Sequence, residues 1–172
     1  MWFAERRLDP VSLLCTCHTL KQDLILLLLE KPMSQTGWEH FYHMADIGVC
    51  GRGQTLQEAF EQTALALTAV ITEPELIQAQ LAVDVSCSAP DHELLLVDWL
   101  NAIIFEMATR KMLFSRYEVS LQDHELTGRA WGEKIDIARH QPTVEIKGAT
   151  YTELKVEQQA DGGWLAQCVV DV

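Results

Sequence analysis

Between Thr55 and Pro74 the apolar residues Leu56, Ala59, Phe60, Ala64, Leu67 and Ile71 recur every three to four positions, the spacing that lines one face of an α-helix. Thr55-Leu-Gln-Glu58 has the form of a capping box, which places the helix start there, and Pro74 marks where it has ended. A second helix is predicted from about Asp91, after Pro90, through "HELLLVDWLNAIIFEMATRK". Its early acids and late basic residues suit the two ends of the helix dipole. Apolar residues nearly encircle it, and only Asp98 and Asn101, three apart, form a polar stripe in its middle.

Elsewhere the period drops to two. Leu81, Val83, Val85 and Cys87 alternate with polar neighbours, and Tyr117, Val119 and Leu121 alternate with Arg116, Glu118 and Ser120, so both runs read as half-buried strands. The last third reads as β throughout, with segments near 125–131, 143–147, 149–157 and 164–172, and Asp161-Gly162-Gly163 supplies a tight turn before the last of them. Gly51-Arg52-Gly53 reads as a flexible turn before the first helix. The expected fold is α+β: two helices packed on one face of a mixed, mostly antiparallel sheet. Residues 1–36 lack any such period and close on the loop-like "KPMSQTG". They read as an appendage to a single domain over 37–172, and Met33 marks an alternative start that intact-mass measurement of the natural product would test.

At 172 residues and 48% hydrophobic, the chain can bury a core without disulfides. Its formal charge of −12, from 13 Lys and Arg against 25 Asp and Glu, argues against direct nucleic-acid binding and suits a basic partner. Five scattered cysteines make poor arithmetic for a secreted disulfide framework, which points to a reducing cytoplasm. "CTCH" at Cys15–His18 has no second ligand pair to make a zinc site. The apolar run Leu24–Leu29 is far shorter than the roughly 20 residues a membrane helix requires, and no cleavage pattern follows it.

No nucleophile triad and no phosphate-cradling glycine loop is present, and Cys50, Cys87 and Cys168 sit in strand contexts that suit buried thiols. Carboxylates remain. Asp46, in "HFYHMADIG", is one; Asp171, in the final "CVVDV", is another, beside the α-carboxylate of Val172. If Asp46 meets these two, the cluster needs a counter-charge, and oxygen donors favour Ca²⁺ or Mg²⁺ over zinc. The bland alternatives are a turn acid and a solvated end, with His40, His43, Lys147 and Arg129 as ordinary surface or core residues.

"FYHMADIG", "TLQEAFEQTALALTAVIT", "LLVDWLNAIIFEM", "GRAWGE", "HQPTVEIKGATY" and the final "VVDV" together resemble the archease family in order and spacing, from Trp38 to Val172. That resemblance implies a small acidic activator of an RtcB-type RNA ligase in tRNA splicing, promoting guanylylation of the ligase histidine and multiple turnover, and not itself an enzyme. It implies a divalent metal, Ca²⁺ first and Mg²⁺ or Mn²⁺ otherwise, at Asp46, Asp171 and Val172. It also implies a role for Lys147 and makes His43 and His140 candidates for partner contact or activation. Met44 stands where the family usually has threonine. The rival readings are a stand-alone metal-dependent hydrolase or phosphotransferase and a general chaperone-like binding module.

Overall fold

The computed structural model describes residues 35–172. The appendage reading, the "CTCH" cluster and the alternative start at Met33 fall outside them. In order, the elements are β1 (Gly37–His43), β2 (Asp46–Gly53), α1 (Leu56–Ile71), β3 (Leu81–Ser88), α2 (His92–Arg110), β4 (Met112–Gln122), β5 (Glu125–Lys134), α3 (Ile137–His140), β6 (Gly148–Ala149), β7 (Lys155–Gln158) and β8 (Trp164–Asp171).

Both long helices begin where the sequence places them. The Thr55 hydroxyl accepts from the Glu58 N–H at 3.2 Å, and the Glu58 carboxylate accepts in return from the Gln54 N–H at 2.7 Å, one residue short of the usual reciprocal bond. Asp91 caps α2 through the Leu94 N–H at 2.8 Å. That helix ends at Lys111, whose φ of 52° turns the chain out of it.

The class is the α+β expected, with helices packed on sheets, but the strands divide between two sheets. One has the order β1-β2-β8-β6, with β7 also on β8; the other has the order β3-β5-β4. Every pairing is antiparallel. The parallel relation that a mixed sheet would contain does occur between β3 and β4, joined by α2, yet β5 lies between them and pairs with each. Each long helix touches both sheets, so the core forms among the four, with Phe60, Leu67, Trp99, Leu100 and Phe114 fully buried.

Gly51-Arg52-Gly53 is not a turn: all three residues lie in β2. A side chain at Gly51 would collide with the Ala59 carbonyl oxygen, 2.3 Å from where its Cβ would lie, so the glycine is there to let α1 lie directly on the strand. Residues 143–147, expected as a strand, have no regular structure, and the segment 149–157 is broken by a turn between β6 and β7. The turn at Asp161-Gly162-Gly163 is as read. Gly162 has φ +95°, and the Asp161 carboxylate accepts from the Gly163 N–H at 3.0 Å. No helix among the described residues is long and apolar enough to cross a membrane.

Candidate functional site at the end of the first sheet

Met44 and Ala45 form the two-residue loop of the β1–β2 hairpin, because His43 pairs directly with Asp46. On the other edge of β2, Ile47 pairs with Val170 of β8, and one further step in that register sets Asp46 opposite Asp171. Across the far edge of β8, Asp171 pairs with Gly148. One row therefore crosses four strands at the end of the sheet: His43, Asp46, Asp171, Gly148. Directly opposed residues share a face, with Cβ atoms about 4.5–5.5 Å apart. The row lies on the face away from α1, since alternate residues Val49 and Gly51 face that helix. Beneath it Phe41 lies over Gly48, where an added Cβ would meet the ring at 2.3 Å.

Lys147 closes the cluster. Its backbone N–H donates to the Asp171 carbonyl at 2.9 Å, its ammonium stands 3.6 Å from the Asp171 carboxylate, and it donates to the Val172 carbonyl oxygen at 2.9 Å. The neighbouring residue is also fixed, because Asn101 of α2 accepts from the Ala149 N–H at 2.9 Å and donates to its carbonyl at 3.3 Å. Thus Asn101, half of the polar stripe in the middle of α2, positions the strand that follows Lys147. The Nδ1 atom of His43 is buried and, among the described residues, makes no hydrogen bond.

Among the described residues, no three His, Cys, Asp or Glu side chains are grouped to hold a metal ion. The donor set at the strand ends is instead two carboxylate side chains together with Val172, all oxygen. That chemistry fits a hard divalent cation, and the adjacent acids provide the charge for one.

His140 is elsewhere. It is 1% exposed; its Nδ1 accepts from the Asp136 N–H at 3.0 Å and its Nε2 faces Glu133 at 3.3 Å. Glu133 also accepts from Arg139 at 2.6 Å and from the Gln78 N–H at 2.6 Å. The Arg139 guanidinium, more than the other donors, holds its carboxyl down at about 2, against the opposing effect of burial. The structure thus joins Asp46, Asp171, Val172, Lys147 and His43 at one end of the first sheet, and it leaves His140 in a buried knot. His40 lies apart from the acids, its Nε2 hydrogen-bonded to the Ala66 carbonyl of α1 at 2.8 Å. Arg129 pairs with Asp84 across β5 and β3. Burial pushes the thiols of Cys50 and Cys87 up to about 11 and that of Cys168 to about 12, which keeps them protonated and unreactive near neutrality.

Two hollows lie away from these acids. One, of about 520 Å³, spreads over the outward face of β3, β5 and β4 between Asp84 and Glu118. Another, of about 470 Å³, is apolar and opens at the C-terminal end of α2. The strand-end cluster borders neither, and its Lys147 and Asp171 side chains are 66% and 50% exposed. Open presentation suits contact with a macromolecule better than enclosure of a small substrate.

Known proteins agree with this architecture. The profile of the Archease protein family (MTH1598/TM1083) matches residues 38–172. The protein archease of Pyrococcus furiosus is 38% identical over 139 residues, covering 78% of this chain and 98% of that protein; its counterpart in Sulfolobus acidocaldarius is 34% identical, covering 80% and 99%. The solution structure of Methanobacterium thermoautotrophicum protein 1598 superposes with a TM-score of 0.71 at 32% identity, over 80% of this chain and all of that one. A Thermotoga maritima archease, described as a possible chaperone, shares the fold with a TM-score of 0.50 at 20% identity, over 78% and 96%. By the span of the profile match and the identity to these relatives, the chain belongs to the archease family.

Proposed function

We propose that this chain is a cytoplasmic activator of an RtcB-type RNA ligase, acting through Asp46 and Asp171 with a divalent cation, Ca²⁺ foremost. The observation that carries the reading is that two carboxylates far apart in the sequence lie side by side at one sheet end, with Lys147 and Val172 closing the cluster. The all-oxygen donor set suits a hard divalent cation, and the exposure of Asp171 and Lys147, 50% and 66%, favours offering it to another protein. What is said of the Thermotoga protein, a possible chaperone, agrees with the coarser part of this reading, that the target is a macromolecule.

In this scheme the acidic surface speeds encounter with a basic face of the ligase. Asp46, Asp171 and the Val172 carboxyl group hold the cation, while His43 flanks the row. When bound, the cation supplies neutralisation of phosphate charge near the nucleotide of the ligase. Lys147 orders the Val172 end and balances Asp171, and it is placed to meet a phosphate or an acidic group of the partner. The contribution of the chain is alignment.

The test is multiple-turnover ligation of RNA with 2′,3′-cyclic phosphate and 5′-hydroxyl ends at substoichiometric ligase. The unmodified chain raises turnover, and Asp46→Ala and Asp171→Ala abolish the stimulation without lowering Tm. Residues added after Val172, which turn its carboxylate into an amide, reduce cation binding. Full stimulation by both alanine variants would refute the scheme. Turnover of the RNA by this chain alone would favour the hydrolase or phosphotransferase reading, and stimulation indifferent to chelators would favour the chaperone-like one.

A further inference from the structure

We infer that the tip of the β1–β2 hairpin, with Tyr151 across the sheet, is an apolar rim that seats the strand-end acids in a socket of the partner protein. The inference rests on the ligase-activator reading and adds to it the surface that does the docking. Tyr42 is 88% exposed and Met44 77%, the two most exposed large apolar residues among those described. They flank His43, whose pairing partner is Asp46. Tyr151, 67% exposed, follows β6 two residues after Ala149, which pairs with Val170 beside the acids. Tyr42 thus stands on the outer strand β1, beside His43 and on the opposite face from it, and Tyr151 in the turn that leaves β6 at the other edge. β2 and β8, the strands that carry the two acids, lie between them across a four-strand end about 14 Å wide at the usual strand spacing.

The loop chemistry points the same way. Two-residue hairpin loops favour Asn-Gly or Asp-Gly, because their backbone requires positive φ. Here Met44 takes φ 47°, so a long apolar side chain occupies a left-handed position that glycine or asparagine would fill with less strain, and it is held out in solvent. Tyrosine is enriched among the residues that dominate binding at interfaces, and methionine adapts its shape to a pocket. A second copy of this chain is a poor occupant, since it would set acid rows of a −12 molecule against each other. The fitting partner is a protein with an apolar socket rimmed by cationic groups.

The experiment measures binding of the full chain to purified ligase by calorimetry, next to Ca²⁺ and Mn²⁺ binding and Tm of the chain alone, for Met44→Asn, for Tyr42→Ser with Tyr151→Ser, and for Asp46→Asn. The rim variants weaken ligase affinity by about tenfold or more while cation binding is unchanged; Met44→Asn leaves Tm the same or higher. Asp46→Asn loses the cation. Rim variants that bind and stimulate the ligase as the unmodified chain does would overturn this inference alone, and so would losses matched by equal losses in cation binding or Tm. Dimerisation that Met44→Asn removes would assign the rim to self-association and overturn it as well. An unmodified chain that does not bind the ligase overturns it together with the reading beneath it.

Discussion

Three donors close on the Glu133 carboxylate: the Arg139 guanidinium, the Gln78 N–H and the His140 ring. Its folded pKa of about 2 lies below the ordinary value of 4.5. A depressed carboxyl stabilises the fold fully above its unfolded pKa and loses that contribution as the pH falls through the folded one. Glu133→Gln should therefore flatten the acid limb of the stability curve between about pH 4.5 and pH 2, measured by urea unfolding at intervals across that window, with little change of slope above it. Asp46 and Asp171 have no such enclosure, which is why one acid is read as structural and the other two as offered outward. At this scale the sequence was only partly legible. Nothing in the spacing of Asp46 and Asp171 reveals their adjacency, because strand register depends on all the pairs between them; the resemblance carried that expectation. It also nominated His140, and no local signal in "ARH" distinguishes a buried ring from a presented one.

Among the elements, β6 depends least on itself. Two residues long, it is held by β8 and by the bidentate bonds of Asn101 to Ala149. Asn101→Ala leaves that backbone N–H without its partner, a loss of about 1–3 kcal/mol. The expected result is a lower urea midpoint and faster amide exchange at 147–150 and, under the proposed function, weaker stimulation of the ligase because Lys147 is held less firmly beside Asp171. α1 and α2 were legible because capping residues and a 3.6-residue period act within each segment. The break between β6 and β7 and the single turn of α3 were not: β6 is set by distant partners, Asn101 and β8, and α3, though capped locally by Asp136, is too short to show a period. The chain 143–147 alternates like a strand but pairs with none: Thr143 donates its N–H to the Ile71 carbonyl at the end of α1, and Ile146 is buried in the core.

For the whole molecule, the charge of −12 acts at longer range than any contact. Surface charges are screened over a Debye length of about 10 Å at 0.1 M salt, so, under the proposed function, the rate of association with the ligase should fall by about an order of magnitude between low and moderately high salt. Stopped-flow measurement of the association rate against ionic strength checks this, and the dissociation rate should change far less. The fold class was legible at this scale from the two periods, three and a half and two. The division into two sheets was not, because it follows from β5 inserting between β3 and β4, a matter of pairing order that hydrophobic patterning does not encode.

β8 is an interior strand of the first sheet, with β2 on one side and β6 and β7 on the other. Asp46 can take its place in the β1–β2 hairpin by local pairing alone, but the position beside it stays empty until β8 docks against β2. The pair of acids is thus a readout of sheet closure: a substitution that loosens β8 anywhere along its length would part the two carboxylates even with the hairpin intact.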